Sequence, residues 1–191
     1  MKKFILFLIA AAYLPCGALS YAQVYGGQVY DAQPPMPDSV MPTNQLVFSW
    51  LGVAYSYEMR IARQMTLTAT AMVLADNSYY EEYGERIFQI RPAVTVEPRY
   101  YYNLAHRAAQ GRNTWYNSAD YFSLLVGFTY LPLYIDPYYF TTSYISISPA
   151  WGIRRVWGHF LLDVNTGPVW HLNDFGTTFN WNLQIILGYI F

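Results

Sequence analysis

The sequence has almost no lysine and almost no cysteine. Lys2 and Lys3 are the only lysines and Cys16 is the only cysteine, all close to the start of the 191-residue chain. Beyond them no disulfide and no thiol chemistry is available. Charge of either sign is scarce, at 12% of residues. After the leader, nine arginines face twelve acids, a formal charge of −3. Nucleic-acid binding needs a basic patch, and this composition lacks one. No apolar run past the leader approaches the roughly 18 residues of a membrane-spanning helix. The remaining classes are a membrane barrel and a secreted all-β domain.

The first residues have the form of a Sec signal peptide. Lys2 and Lys3 make a basic start, residues 4–14 are apolar, and Ser20-Tyr21-Ala22 is a small-x-small cleavage site. Cleavage is expected after Ala22, with Ser20 as the second choice. Cys16 is a poor lipidation site, because Pro15 stands where a small residue is needed. The expected organisation is a signal peptide over 1–22, a Pro- and Gly-rich lead over 23–43, and one domain over 44–191.

That domain alternates. In residues 179–191 the odd positions are Phe179, Trp181, Leu183, Ile185, Leu187, Tyr189 and Phe191, all large and apolar. The even positions begin Asn180, Asn182 and Gln184. A period of two is a strand whose two faces meet different surroundings. Apolar outside, polar inside and aromatics at both ends is the pattern of a transmembrane barrel strand. The chain carries 20 Tyr, 11 Phe and 6 Trp, many near the ends of apolar segments. Such rings suit a membrane interface. In water, an exposed band this apolar would aggregate.

The same alternation recurs over 45–61, 65–75, 87–102, 121–131, 142–154 and 158–170. Seven strands are clear, and bacterial barrels have an even number. The fold class is therefore all-β, a transmembrane antiparallel up-and-down barrel of eight strands. The eighth strand is either 23–31, or the early part of 44–61 folded back at Leu51-Gly52. Pro92 and Pro98 make 87–102 the least regular strand. Outer loops are expected at 76–85, 132–141 and 171–178. Periplasmic connections are expected at 62–64, 103–119 and 155–158, with one helical turn inside the long connector 103–119.

Seven charged residues fall on inward positions: Glu58, Arg60, Arg91, Glu97, Arg99, Arg154 and Asp163. Eight strands enclose a lumen that side chains can fill. Isolated charges there cost several kcal/mol, so these residues are expected to form a paired polar network that fills the interior. The competing reading is a narrow polar pathway. No histidine is spaced for nucleophilic catalysis: His106 lies in the connector, His159 faces inward and His171 lies in an outer loop. No pair of histidines has ligand spacing, so neither a metal nor another cofactor is expected.

The run Glu97-Pro98-Arg99-Tyr100-Tyr101-Tyr102-Asn103, followed by Gly111-Arg112-Asn113-Thr114, resembles small outer-membrane β-barrel proteins of Bacteroidota. Trp151-Gly152-Ile153-Arg154-Arg155 is similar to that group as well. The resemblance implies a location and a fold and supplies no catalytic residues. The expected role is structural, adhesive or accessory to an envelope complex, without enzymatic activity. A small porin-like channel is the first alternative and an outer-membrane lipid-modifying enzyme the second. Expected partners are outer-membrane lipids and the barrel-assembly machinery, which would read Tyr189 and Phe191 as an assembly signal. The connector 103–119 is the expected surface for an envelope partner.

Overall fold

The computed structural model describes residues 36–49, 52–80, 85–133 and 142–191, with backbone alone at 76–80 and 85–87. Both 23–31 and the signal peptide lie outside these residues. Eight antiparallel strands close into a barrel, each paired with the next and the last with the first. They are β1 (Thr43–Ser49), β2 (Gly52–Ala62), β3 (Met65–Tyr80), β4 (Glu85–Tyr100), β5 (Asp120–Thr129), β6 (Tyr144–Trp157), β7 (Phe160–Asn173) and β8 (Gly176–Ile190). The first strand is the early part of 44–61, which turns back next to Gly52. Gly52 suits that turn, because a Cβ there would sit 2.0 Å from the Val73 carbonyl oxygen.

The register sets the width of the barrel. Cross-strand partners lead from Gln45 through Ser56, Thr70, Thr95, Gly127, Ser146 and His171 to Thr178. The residue of β8 that pairs with Gln45 is Ile190, 190 − 178 = 12 positions further on. Stagger and tilt are linked in a closed sheet. A stagger half as large again as the strand number tilts the strands steeply and widens the lumen.

Alternation places the apolar residues outside. Phe122, Leu124, Val126, Trp181, Leu183 and Ile185 all stay exposed, Trp181 at 69%. The inner positions carry Ser, Thr, Asn, Gln and the charges, with an apolar minority that includes Val47, Ala54, Met72 and Ala93. Prolines interrupt the ladders without ending the strands. β4 pairs with β3 through both Pro92 and Pro98, but its pairing with β5 skips Glu97 and Pro98. Between β6 and β7 the ladder is open around Pro149 and Pro168, where no N–H is available to donate.

Two of the expected loops are mostly strand. β3 runs on to Tyr80 and β4 starts at Glu85, so most of 76–85 is paired. β7 runs to Asn173 and β8 starts at Gly176, leaving a two-residue turn in place of a loop over 171–178. Polar side chains do not end a strand whose backbone remains paired, and these polar stretches hide that pairing. The turn after β6 is Gly158-His159, so His159 lies in it and exposed, not inside. Its Nδ1 meets the Ile190 carbonyl oxygen at 2.7 Å.

The connector 101–119 folds across one barrel end. Its helix α1 (Leu104–Ala109) and the single 3-10 turn Trp115–Asn117 extend the one helical turn expected there. Leu104, Tyr101, Ala119 and Tyr121 bury themselves with Val40 of the lead. Asn117 grips the lead from below: its Oδ1 accepts from Met41 N and its Nδ2 donates to Met41 O, each at 2.8 Å. Tyr116 and Asn117 hold φ of 53° and 62°, a region that few side chains adopt. The Asp38/Arg63 ion pair and Thr114 donating to Pro37 O add to the same end.

Candidate functional site

The barrel interior has a floor of buried, paired charges with a cavity above it. At the floor, β2 presents Glu58, β4 presents Glu97 and Arg99, β6 presents Arg154 and β7 presents Asp163. Arg154 donates to Glu58 at 2.5 Å, lies 3.3 Å from Asp163 through Nε, and donates to Gln45 Oε1 at 3.0 Å. Arg99 bridges Asp163 at 2.9 Å and Glu97 at 2.6 Å. The remaining carboxylate capacity is taken by hydroxyls. Thr43, Thr66 and Tyr101 donate to Glu58, and Tyr121 donates to Asp163 at 2.6 Å. Arg99 also lies over the Tyr121 ring, 4.6 Å from its centre. Burial pushes the Tyr101 phenol up, so it stays a donor across ordinary pH.

Buried charges are tolerable only when paired and hydrogen-bonded on every side, and this cluster comes close to that. Gly152 makes room for it. A Cβ at Gly152 would lie 2.3 Å from the Tyr121 ring, so only glycine lets that ring lie flat against β6. The exterior tie is made by Asp120, which pairs with Arg155 and bonds Asn103. Arg107 of α1 donates to the Ser118 and Asn113 carbonyls. Partial burial, then the neighbouring Arg155, holds its guanidinium below the ordinary arginine range.

Two of the seven expected network residues stand elsewhere. Arg60 sits beside a register shift near the end of β2 and is exposed, in none of the ion pairs among the described residues. Arg91 is high on β4, where it donates to the Tyr130 and Thr142 carbonyls at 3.1 and 2.5 Å and covers the Tyr144 ring. The cluster is therefore two arginines against three acids. Sequence reasoning missed Tyr101 and Tyr121, which close the cluster from the connector side. Tyr121 shares the inward parity of Ser123, which is the signal that could have found it.

The expectation that polar side chains fill the interior fails above the floor. A cavity of about 700 Å³ occupies the upper half of the barrel. The stagger of the strands makes the lumen too wide for serine, threonine, alanine and glycine side chains to fill. Its wall carries a pair that strand spacing alone did not reveal. Ser146 of β6 and His171 of β7 are cross-strand partners, with Ser146 Oγ 3.0 Å from His171 Nδ1. The Tyr144 ring packs edge-on against His171. Among the described residues no carboxylate bonds His171, so the pair has no group to orient it as a base. The described residues also hold no cluster of His, Cys, Asp and Glu fit for a metal ion.

No protein-family model, no curated protein and no solved structure matches the chain.

Proposed function

We propose that the chain is an integral outer-membrane barrel of accessory or structural role, without catalytic activity and without a through-channel. The observation that carries this reading is the division of the barrel surface. Among the described residues an apolar exterior surrounds a largely polar interior, and the buried ion cluster with the folded connector closes one end. The exterior is disfavoured in water and favoured in lipid. A floor of paired charges backed by Val40, Leu104 and Tyr121 supports a cup over a pore.

In this reading the connector end faces the periplasm and carries the partner surface. Trp115 and Arg112 stand exposed there, on a segment tied down by Arg107, Asn113 and Asn117. The test is flotation with lipid vesicles, heat-modifiable migration in gels and envelope crosslinking. Recovery in a soluble fraction would end the membrane reading. Steady single-channel currents would end the closed-cup reading.

A further inference from the structure

The barrel wall has a notch. β1 stops at Ser49 and β2 starts at Gly52, and these two residues pair with each other. On one side, β3 continues from Ala75 to Tyr80 past Leu74, the partner of Gly52. On the other, β8 has already run from Gly176 before Ile186 meets Ser49. Among the described residues, nothing pairs with the β1-facing edge of β8 ahead of Ile186. The flanking outward residues Phe179, Trp181, Leu183 and Ile185 are large, apolar and exposed. The notch therefore opens at the height of the apolar belt, not above it.

The cavity reaches this notch. Its lining includes inward residues such as Asn165 and Arg154, and also the consecutive residues from Asn180 to Ile186 along the β8 edge. The cavity therefore borders the strand edge that has no β1 partner among the described residues. Inside, the register makes two neighbouring rows. Val47, Ala54, Met72 and Ala93 are successive partners across β1 to β4, an apolar row directly below the notch. On its floor side a polar row starts at Gln45, passes Ser56, Thr70 and Thr95, and climbs with the stagger to Ser146 and His171 near the upper rim. The charged residues that line the cavity, Glu97, Arg99, Arg154 and Asp163, bind one another, and Arg91 higher on β4 is held by two carbonyls.

We propose that the cavity binds one neutral, single-chain amphiphile of the surrounding membrane, which enters sideways through the notch above the turn between Ser49 and Gly52. This inference rests on the membrane reading above. The hydrocarbon chain lies on the apolar row and leaves along Trp181 and Leu183. A hydroxyl- or amide-bearing head meets Thr95, Ser146 and His171. An ionic head would be drawn from water onto a lining whose charged residues, among those described, are already paired, which is costly. The volume is that of a small-molecule site.

The experiment uses the full mature chain in phosphatidylcholine vesicles and a monoacylglycerol with a diazirine in its chain. After irradiation, adducts are mapped by mass spectrometry. Adducts are expected on Ala54, Met72 or Ala93, which face inward. They are lost in Ala54→Trp and, separately, in Thr95→Trp, each of which fills the cavity. Labelling of Leu124 and Val126 on the far outer face persists in both. Both variants are first checked for heat-modifiable migration, and either folded variant suffices. Adducts confined to outward residues, inner adducts that survive filling, or equal inner labelling by the corresponding fatty-acid anion would each overturn the proposal. A chain that fails to float with vesicles overturns the membrane reading as well, whereas a floating chain without inner adducts overturns this inference alone.

Discussion

Arg154 and Glu58 meet at 2.5 Å across the barrel, from strands that are not neighbours in the sheet. Both are almost wholly buried. Glu58→Ala strands the Arg154 guanidinium with only Asp163 and Gln45, and is expected to cost about 3–5 kcal/mol. Replacing both with apolar residues of similar volume recovers most of that loss. Denaturant unfolding in detergent micelles checks both, and a single variant as stable as the parent would show that the pair is not structural.

The same floor is expected to block ions. The parent shows no steady conductance in planar bilayers. Tyr101→Ala combined with Glu58→Ala removes two neighbouring side chains from the floor, and leakage currents appear. Equal conductance of parent and variant would place the barrier elsewhere.

Gly152→Ala sets a methyl group into the Tyr121 ring and pulls its hydroxyl from Asp163. The expected loss is about 1–3 kcal/mol, an overpacking cost. Tyr121→Phe, which keeps the ring and loses one bond to a charged group, costs about 1.5–3 kcal/mol. Because the two act on one contact, the double variant loses less than their sum. Additive losses in thermal unfolding would separate the two residues.

Asn117 combines a left-handed backbone with a two-bond grip on Met41. Asn117→Gly keeps the backbone easy and removes the grip, whereas Asn117→Ala removes both. Each is expected to raise protease cutting between Pro37 and Met41, with the alanine variant also destabilised by about 1–2 kcal/mol relative to glycine. Undiminished protection in both would show that Val40 and Arg63 hold the lead without Asn117.

Phe191 is the last residue, and its N–H donates to the Asn44 carbonyl oxygen at 3.0 Å at the β8/β1 seam. Its ring meets Tyr55 of β2 and stacks beside Tyr189. Removing Phe191 is expected to lower the amount of assembled protein in the membrane fraction, measured by heat-modifiable migration. Normal levels would count against an aromatic terminus as the assembly signal.

Much of this molecule is written locally. A period of two needs only neighbouring residues, so the strands from β2 to β8 and their outward faces could be read from alternation. Inward parity likewise placed Glu58, Glu97, Arg99, Arg154 and Asp163 on one surface. Strand ends were less legible, because backbone pairing carries β3, β4, β7 and β8 through polar residues that look like loops. Arg60 and Arg91 share the parity of the cluster but not its height, and parity contains no height.

Height comes from register, which depends on how all eight strands close. The β6/β7 register places Ser146 beside His171, and the stagger of twelve brings Arg154 to Glu58 and makes the lumen too wide to fill. The close pairing of Ser49 with Gly52 leaves the β1/β2 hairpin shorter than β3 and β8 and opens the notch. Alternation along one strand thus determined the inside and outside of the wall. Only the closed sheet, whose tilt couples every strand to every other, decided which inside residues meet and where the wall is open.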